Sequence, residues 1–145
     1  MDTLRTLGDQ FGDKLKEIST KLQFDKRIPP ISGDGIQLKQ CFLNILTNSV
    51  QAMPEGGELK IETRKDGQRN EIQVLFSDTG SGIPQEYVSK IFLPFFSLQK
   101  SSDRHGLGLS FAYQIIKNHG GCLNVDSKVG FGTTIAISLP LNANS

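Results

Sequence analysis

A chain of 145 residues fits one compact domain and is long enough to bury a hydrophobic core. Hydrophobic residues make up 37% and charged residues 21%, values that are ordinary for a soluble globular protein. The formal net charge of +1 and the absence of tryptophan argue against nucleic acid as a partner and against direct contact with an anionic membrane. Without a long apolar run or a signal peptide, the domain is expected to be cytoplasmic, which leaves open a membrane anchor in the full-length protein.

The two cysteines, Cys41 and Cys122, stand far apart and form neither a CxxC nor a His-spaced metal pattern. Free cysteine usually behaves as a small hydrophobic residue. We therefore expect both to lie in the core of a protein from a reducing compartment.

The first part of the chain carries helical and extended patterns in turn. Residues 2–18 have apolar residues at three- and four-residue steps, which predicts a weak amphipathic helix. The segment TKLQFD (20–25) alternates like a strand around Leu22 and Phe24. From 36 to 53 the helical period is strong, and PEGG ends that helix.

The second part of the chain predicts two hairpins separated by helical segments. GELKIETRKDG (57–67) and NEIQVLFSDTG (70–80) alternate like the strands of the first hairpin. The remaining predictions, in chain order, are a short helix over 84–92, a loop over 97–106, a helix over 107–121, and strands over 122–128 and 133–140.

This order of elements predicts an α+β fold in one domain, residues 1–145, with its core from about 33 to 140. We expect a two-layer α/β sandwich. Its mixed, mostly antiparallel sheet would be covered on one face by about three helices.

A stripe of uncharged amides distinguishes the helix over 36–53. At about 100° per residue, one narrow face carries Gln37, Gln40, Asn44, Asn48 and Gln51. A surface helix normally places Lys and Glu on its polar face. Amides offer an oxygen to a hard cation such as Mg²⁺ and an NH₂ group to a phosphate. The stripe therefore indicates a ligand site, with amides satisfied by neighbouring backbone as the alternative.

The segment DTGSGIP (78–84) follows a predicted buried strand. Asp78 is a lone carboxylate that could accept a hydrogen bond from an exocyclic amine such as that of adenine. Gly80 and Gly82 allow a tight turn and the close approach of a flat ligand. A structural turn capped by Asp explains the same pattern.

Two further glycine-rich segments adjoin the second strong helix and the last hairpin. In HGLGLS (105–110), Gly106 and Gly108 open a helix whose free N–H groups suit phosphates, although helices without a ligand also begin this way. GFGTT (130–134) predicts a hairpin turn with the Thr133 hydroxyl available for a hydrogen bond. Neither a Walker A sequence nor GxGxxG occurs.

The region 83–105 predicts a mobile lid, with an ordinary solvated loop as the alternative. Its cations Lys100 and Arg104 could reach phosphates. Its aromatic cluster IFLPFF (91–96) could simply belong to the core.

The ordered set NILTNS, DTGSGIP, IFLPFF, HGLGLS and GFGTT resembles the catalytic ATP-binding domain of sensor histidine kinases. That domain belongs to a superfamily with DNA gyrase, heat-shock chaperones and mismatch-repair ATPases. The likeness runs from about residue 33 to 140, and the tail from His119 is similar to nitrogen-sensor kinases in particular.

The resemblance implies roles for the matching residues. Asn48 matches the magnesium ligand, with Asn44 as its companion near the phosphates, and Asp78 would accept from the adenine amine. Asn44, Lys100 and Arg104 would act in catalysis. The implied nucleotide-binding set is Asn44, Asn48, Gln51, Asp78, Gly80, Gly82, Ile83, Lys100, Arg104, His105, Gly106, Leu107, Gly108, Leu109 and Thr133.

The chain departs from the family pattern at several positions. Many kinases carry Lys and then an aromatic residue where this chain has Gln51 and Ala52. His105 stands where Gly, Ser or Thr is more usual. No phosphoacceptor histidine motif is present, and His119 has the position of a residue at a helix C-terminus.

The resemblance implies a protein histidine kinase domain that binds Mg-ATP. It would transfer the γ-phosphate to a histidine on a separate dimerisation and phosphoacceptor domain, in cis in the full-length protein, and a response regulator would then receive it. The domain would be inactive alone. Three alternatives are a degenerate nucleotide- or partner-binding module, a serine kinase of the anti-sigma-factor type, and an ATP hydrolase, whose family places a Glu where this chain has Asn44.

Overall fold

The computed structural model describes residues 18–25, 35–88 and 107–140. Its elements in chain order are β1 (Ile18–Gln23), α1 (Gly35–Gln51), β2 (Gly57–Asp66), β3 (Glu71–Asp78), α2 (Gln85–Val88), α3 (Leu107–Asn118), β4 (Cys122–Lys128) and β5 (Gly132–Pro140). The helix expected from residue 2 lies outside the described residues up to 17, and Ile18, its expected last residue, instead begins β1. The predicted loop over 97–106 also lies outside them.

The five strands form one sheet in the order β1-β2-β3-β5-β4. β1 pairs with β2 in parallel, and the other three pairings are antiparallel. This arrangement confirms the predicted α+β fold with a mixed, mostly antiparallel sheet.

One face of the sheet carries the hydrophobic core. Directly opposed residues of antiparallel strands share a face, and Phe76 of β3 lies opposite Ile61 of β2 and Ile135 of β5. All three side chains are buried. The ring of Phe42 on α1 contacts the ring of Phe76, with 5.7 Å between their centroids. Helix α1 therefore packs on this face.

Helix α1 is buried around most of its circumference, so it lies within the core. Its buried residues are Leu38, Cys41, Leu43, Asn44, Ile45, Leu46, Thr47, Ser49 and Val50. The thiol of Cys41 lies 3.7 Å from the carbonyl oxygen of Ala112, which joins α1 to α3. No helix among the described residues is long and apolar enough to span a membrane.

The end of α3 confirms the stop predicted from the glycine pair. Gly120 has a φ of 77°, and its N–H donates to the carbonyl of Lys117. The N–H of Gly121 donates to the carbonyl of Ile116. These two bonds form a Schellman motif, which needs a left-handed residue and so favours glycine. His119 lies at the helix C-terminus as expected, with Nδ1 2.8 Å from the carbonyl of Ile115.

One sequence prediction about the core was wrong. Cys122 is exposed, because it alternates with buried Leu123 on the edge strand β4. The strand predicted at TKLQFD exists as β1, but Leu22 and Phe24 are exposed large hydrophobic residues. β1 is the other edge strand of the sheet, and among its own residues only Ile18 is buried.

Candidate functional site

The amide stripe on α1 forms a short chain of hydrogen bonds. Gln40 Nε2 donates to Asn44 Oδ1 at 2.8 Å. Asn48 Nδ2 donates to the backbone carbonyl of Asn44, also at 2.8 Å. Asn44 is 3% exposed, whereas Asn48 is half-buried. The bond from the NH₂ side of Asn48 directs its Oδ1 away from the helix backbone. Oxygen is the donor type that Mg²⁺ prefers, so this orientation fits a cation.

Asp78 is a buried carboxylate at the last position of β3. Gly80 N–H donates to Oδ1 at 2.9 Å, and the carboxylate also accepts from the Ser49 side chain and the Thr133 backbone amide. A carboxylate has about four acceptor positions, so these three donors leave room for one more. Burial raises the pKa of Asp78, and the three hydrogen bonds lower it by less. The group is an acceptor held in a site of low polarity.

Ser49 connects the amide stripe to this carboxylate. It follows Asn48 directly in α1, it is buried, and its side chain bonds Asp78. Ser49 was not among the residues predicted to bind a ligand. A serine inside an otherwise apolar helix face is the sequence pattern that could have indicated a polar contact at this position. Through Ser49, the helix that carries the predicted metal ligand contacts the predicted base-binding carboxylate.

The glycines of DTGSGIP allow this loop to pack closely against the end of α1 and against β4. A Cβ at Gly80 would lie 2.6 Å from the carbonyl oxygen of Ala52 and 2.9 Å from Asp78 Oδ1. Gly82 has a φ of 78°, and a Cβ there would collide with the carbonyl of Lys128. The Gly80 N–H bond to Asp78 is the predicted turn capped by Asp. These two glycines are therefore needed for packing within the chain, and the approach of a flat ligand to them stays a prediction.

A buried serine of β4, which the sequence analysis did not single out, joins this loop to the last hairpin. Ile83 N–H donates to Ser127 Oγ at 2.7 Å, and Ser127 Oγ lies 2.8 Å from Thr133 Oγ1. Thr133 lies directly opposite Asp78 in the β3–β5 ladder, and both are buried. The structure thus brings Asp78, Ile83 and Thr133 together, with Ser127 between two of them.

The two residues that depart from the family pattern, Gln51 and Ala52, lie at the end of α1. Gln51 is the last residue of the helix and is half-buried. Ala52 follows it, and its carbonyl accepts from the Ser81 N–H at 3.2 Å. Its Cβ would be only 2.8 Å from a Cβ at Gly80. A small side chain at position 52 therefore suits the close approach of the glycine loop to α1.

Several predicted site residues lie outside the described residues. These are Lys100, Arg104, His105 and Gly106, together with most of the predicted lid and all of IFLPFF. Of the phosphate-binding segment, the described part begins with the first turn of α3 at Leu107. Leu109 is half-buried and packs against the core.

A family model identifies the chain. Residues 33–143 match the family described as histidine kinase-, DNA gyrase B- and HSP90-like ATPase. The chain belongs to this family. Membership assigns ATP binding to the domain and confirms the family predicted from the ordered motifs.

Curated relatives are named sensor kinases. The chain is 36% identical over 138 residues to sensor kinase CckA of Brucella abortus, covering 86% of this chain and 15% of that protein. It is 41% identical over 115 residues to sporulation kinase C of Bacillus subtilis, covering 79% and 26%. It is 38% identical over 129 residues to the histidine kinase/phosphatase NtrB of Rhodobacter capsulatus, covering 81% and 36%. The chain thus spans about a third or less of these relatives.

Solved histidine kinase structures share the fold. The mycobacterial sensor histidine kinase MprB superposes with a TM-score of 0.80 at 28% identity, covering 96% of this chain and 89% of that one. The catalytic domain of ThkA in a nucleotide-free form gives 0.81 at 25% identity, covering 97% and 91%. The chain therefore has the architecture of a histidine kinase catalytic domain.

Proposed function

We propose that this domain holds Mg-ATP between the C-terminal half of α1 and the DTGSGIP loop. It passes the γ-phosphate to a histidine on a separate phosphoacceptor domain. The observation that carries the proposal is the hydrogen bond between Ser49 and Asp78. It brings the residue next to Asn48 into contact with the buried carboxylate, so one site contains both an amide oxygen for a cation and an acceptor for an amine.

Asp78 and Thr133 supply the base-binding end of the site. A buried carboxylate with a remaining acceptor position suits an exocyclic amine, and Thr133 lies beside it on the neighbouring strand. Gly80, Gly82 and Ile83 shape the loop around this end. The bond from Ser49 to Asp78 fixes the distance from base to phosphates along α1.

Asn48, with Asn44 as its companion, would hold Mg²⁺ at the phosphate end. Bound Mg²⁺ neutralises charge on the phosphates and usually keeps several waters. The donor set fits this ion, because the NH₂ group of Asn48 already donates to the Asn44 carbonyl. Gln40 holds the Asn44 side chain through its own amide. Gln51 and the segment from His105 to Leu109 would lie near the phosphates.

The chain would contribute positioning and charge neutralisation to the transfer, as in other phosphoryl transfers. We assign Lys100 and Arg104 to the phosphate oxygens. A nitrogen of the acceptor histidine attacks the γ-phosphorus, and the bond to the bridging oxygen breaks with ADP as the leaving group. The imidazole is itself the nucleophile, so no general base is required from this chain.

The partners follow from this chemistry. The phosphoacceptor domain would belong to the same full-length protein, and a response regulator would receive the phosphoryl group. One ThkA structure, with a TM-score of 0.77 at 25% identity and covering 99% of this chain and 41% of that one, is described as a complex with the response regulator TrrA. We propose that the domain works in the cytoplasm.

Phosphotransfer in trans tests the proposal. The purified chain is mixed with a separate phosphoacceptor domain and ATP labelled at the γ-phosphate. We expect label on the acceptor that is labile in acid and stable in base, as phosphohistidine is, and none when the acceptor histidine is replaced. Label on serine, or rapid release of free phosphate without protein label, would refute the proposal.

A further inference from the structure

All three hydrogen-bonding positions of the Ser127 hydroxyl are occupied within the protein. This serine is a buried residue of β4. Its Oγ accepts from the Ile83 N–H at 2.7 Å, donates to the Gly132 carbonyl at 3.0 Å, and lies 2.8 Å from Thr133 Oγ1. Together these contacts join the DTGSGIP loop to both strands of the last hairpin.

The direction of the third bond follows from the other two. A serine hydroxyl has one proton and two lone pairs. The Gly132 carbonyl can only accept, so it takes the Ser127 proton, and the Ile83 N–H can only donate, so it occupies one lone pair. The bond between the two hydroxyls must therefore run from Thr133 to Ser127. Since the Thr133 proton is used in this way, its oxygen can offer only lone pairs to a ligand.

The Thr133 oxygen lies next to a second acceptor. Thr133 and Asp78 are directly opposed on neighbouring antiparallel strands, where Cβ atoms are about 5 Å apart. Both side chains are buried on the helix-covered face. The three donors to Asp78 all come from the protein, and the carboxylate keeps about one acceptor position. At this point the site presents two acceptors and no hydroxyl donor.

We propose that Ser127 is a positioning residue that fixes the Thr133 hydroxyl as an acceptor, and so makes the site select a 6-amino purine over a 6-oxo purine. The inference rests on the proposed binding of ATP and adds a determinant of base selectivity. An amino group at C6 donates to both acceptors. A carbonyl at C6 meets two acceptors and no donor, which leaves polar groups unpaired and costs binding energy.

The loop has other attachments that do not need the Ser127 hydroxyl. Gln85 Nε2 donates to the backbone carbonyl of Ser127 at 2.8 Å, and the Gly130 N–H donates to the Ser81 carbonyl at 3.0 Å. Both bonds remain possible in Ser127→Ala. The variant therefore releases the Thr133 proton while the loop stays joined to the hairpin.

The test compares ATP with inosine triphosphate, whose base has an oxo group at C6 in place of the amino group and a hydrogen on N1. Affinities are measured by calorimetry in saturating Mg²⁺ for the wild type and Ser127→Ala. In the variant the Thr133 hydroxyl can turn and donate to the oxo group. We expect the ratio of ATP affinity to inosine triphosphate affinity to fall by about tenfold or more. An equal loss for both nucleotides would show a purely structural role and overturn the inference.

A second pair of variants keeps the test independent of the folding of Ser127→Ala. Thr133→Val removes the hydroxyl and should lower the ratio, whereas Thr133→Ser keeps the hydroxyl and should preserve the preference. Adding Ser127→Ala to Thr133→Val should lower the ratio no further, since both changes act on the same proton. A further drop in the double variant would contradict the inference. A wild type that binds neither nucleotide would instead refute the proposed function itself.

Discussion

Asp78 illustrates how single residues define this site. Three donors from three different parts of the chain, Ser49, Gly80 and Thr133, meet its carboxylate. Burial nevertheless outweighs them and raises its pKa. The folded protein therefore bears an electrostatic cost at neutral pH, which a ligand that donates to the carboxylate can offset. Such an arrangement is common at functional sites.

The raised pKa predicts a specific dependence of stability on pH. Between the ordinary value of about 3.9 and the raised folded value, the folded chain binds a proton that the unfolded chain has lost. The contribution of Asp78 to the free energy of unfolding is therefore largest at low pH and falls as pH rises through the folded pKa. In Asp78→Asn this dependence disappears, so the stability of the variant relative to the wild type should increase with pH.

Urea unfolding of the nucleotide-free proteins between pH 4 and 8 measures this effect. Asp126→Asn, which removes an exposed carboxylate of β4, corrects for the loss of one negative charge. If the stabilities of the wild type and Asp78→Asn change with pH in parallel, the result would contradict the raised pKa of Asp78.

Individual site residues were predictable to different degrees. Asn48 and Asp78 stood out because amides and a carboxylate are unusual in apolar segments. Ser49 and Ser127 did not, because buried serines are common and their importance depends on partners that are distant in sequence. Ser127 bonds Ile83 across 44 residues. No local pattern predicts such a contact.

At the scale of elements, periodicity predicted the helices and strands well. α1 was expected over 36–53 and spans Gly35–Gln51, and α3 has the predicted stop. The same patterns did not predict which residues of the edge strands are buried. A residue on an edge strand can alternate correctly and still face solvent, as Cys122 and Leu22 do.

The two cysteines therefore differ in reactivity. Burial raises the pKa of Cys41 to about 12, so at pH 8 about one thiol in ten thousand is ionised. Cys122 is exposed. A thiol reagent such as dithionitrobenzoate should modify one cysteine per native chain quickly and the second only after unfolding.

Single-cysteine variants show which cysteine gives the fast reaction and which reacts only after unfolding. Cys122→Ser should lose the fast reaction, and Cys41→Ser should retain it. A fast phase that survives in Cys122→Ser would mean that solvent reaches the contact between α1 and α3.

At the scale of the whole molecule, the strand order creates the site. β3 and β5 are antiparallel, so the end of β3 at Asp78 meets the start of β5 at Thr133. β4 runs antiparallel to β5 and brings Ser127 to the same edge. Strand patterns in sequence predicted each hairpin but not that β5 would insert between β3 and β4. The local bond from Gly80 to Asp78 could therefore be predicted from sequence, whereas the hydrogen bonds between distant strands could not.

The chain also spans about a third or less of the kinases it matches. Under the proposed function, this domain binds the nucleotide and the acceptor histidine belongs to a separate domain. This division predicts that nucleotide binding is intact in the isolated chain even though phosphotransfer requires a second domain.

Calorimetric titration with ATP, with and without Mg²⁺, tests the central claim that Asn48 and Asp78 belong to one Mg-ATP site. The wild type should bind ATP at least about tenfold more tightly with Mg²⁺. Asn48→Ala should lose this gain while its thermal unfolding stays unchanged. Asn124→Ala, the same change at an exposed position of β4, should behave as the wild type. Equal Mg²⁺-dependent affinity in the wild type and Asn48→Ala would contradict the account.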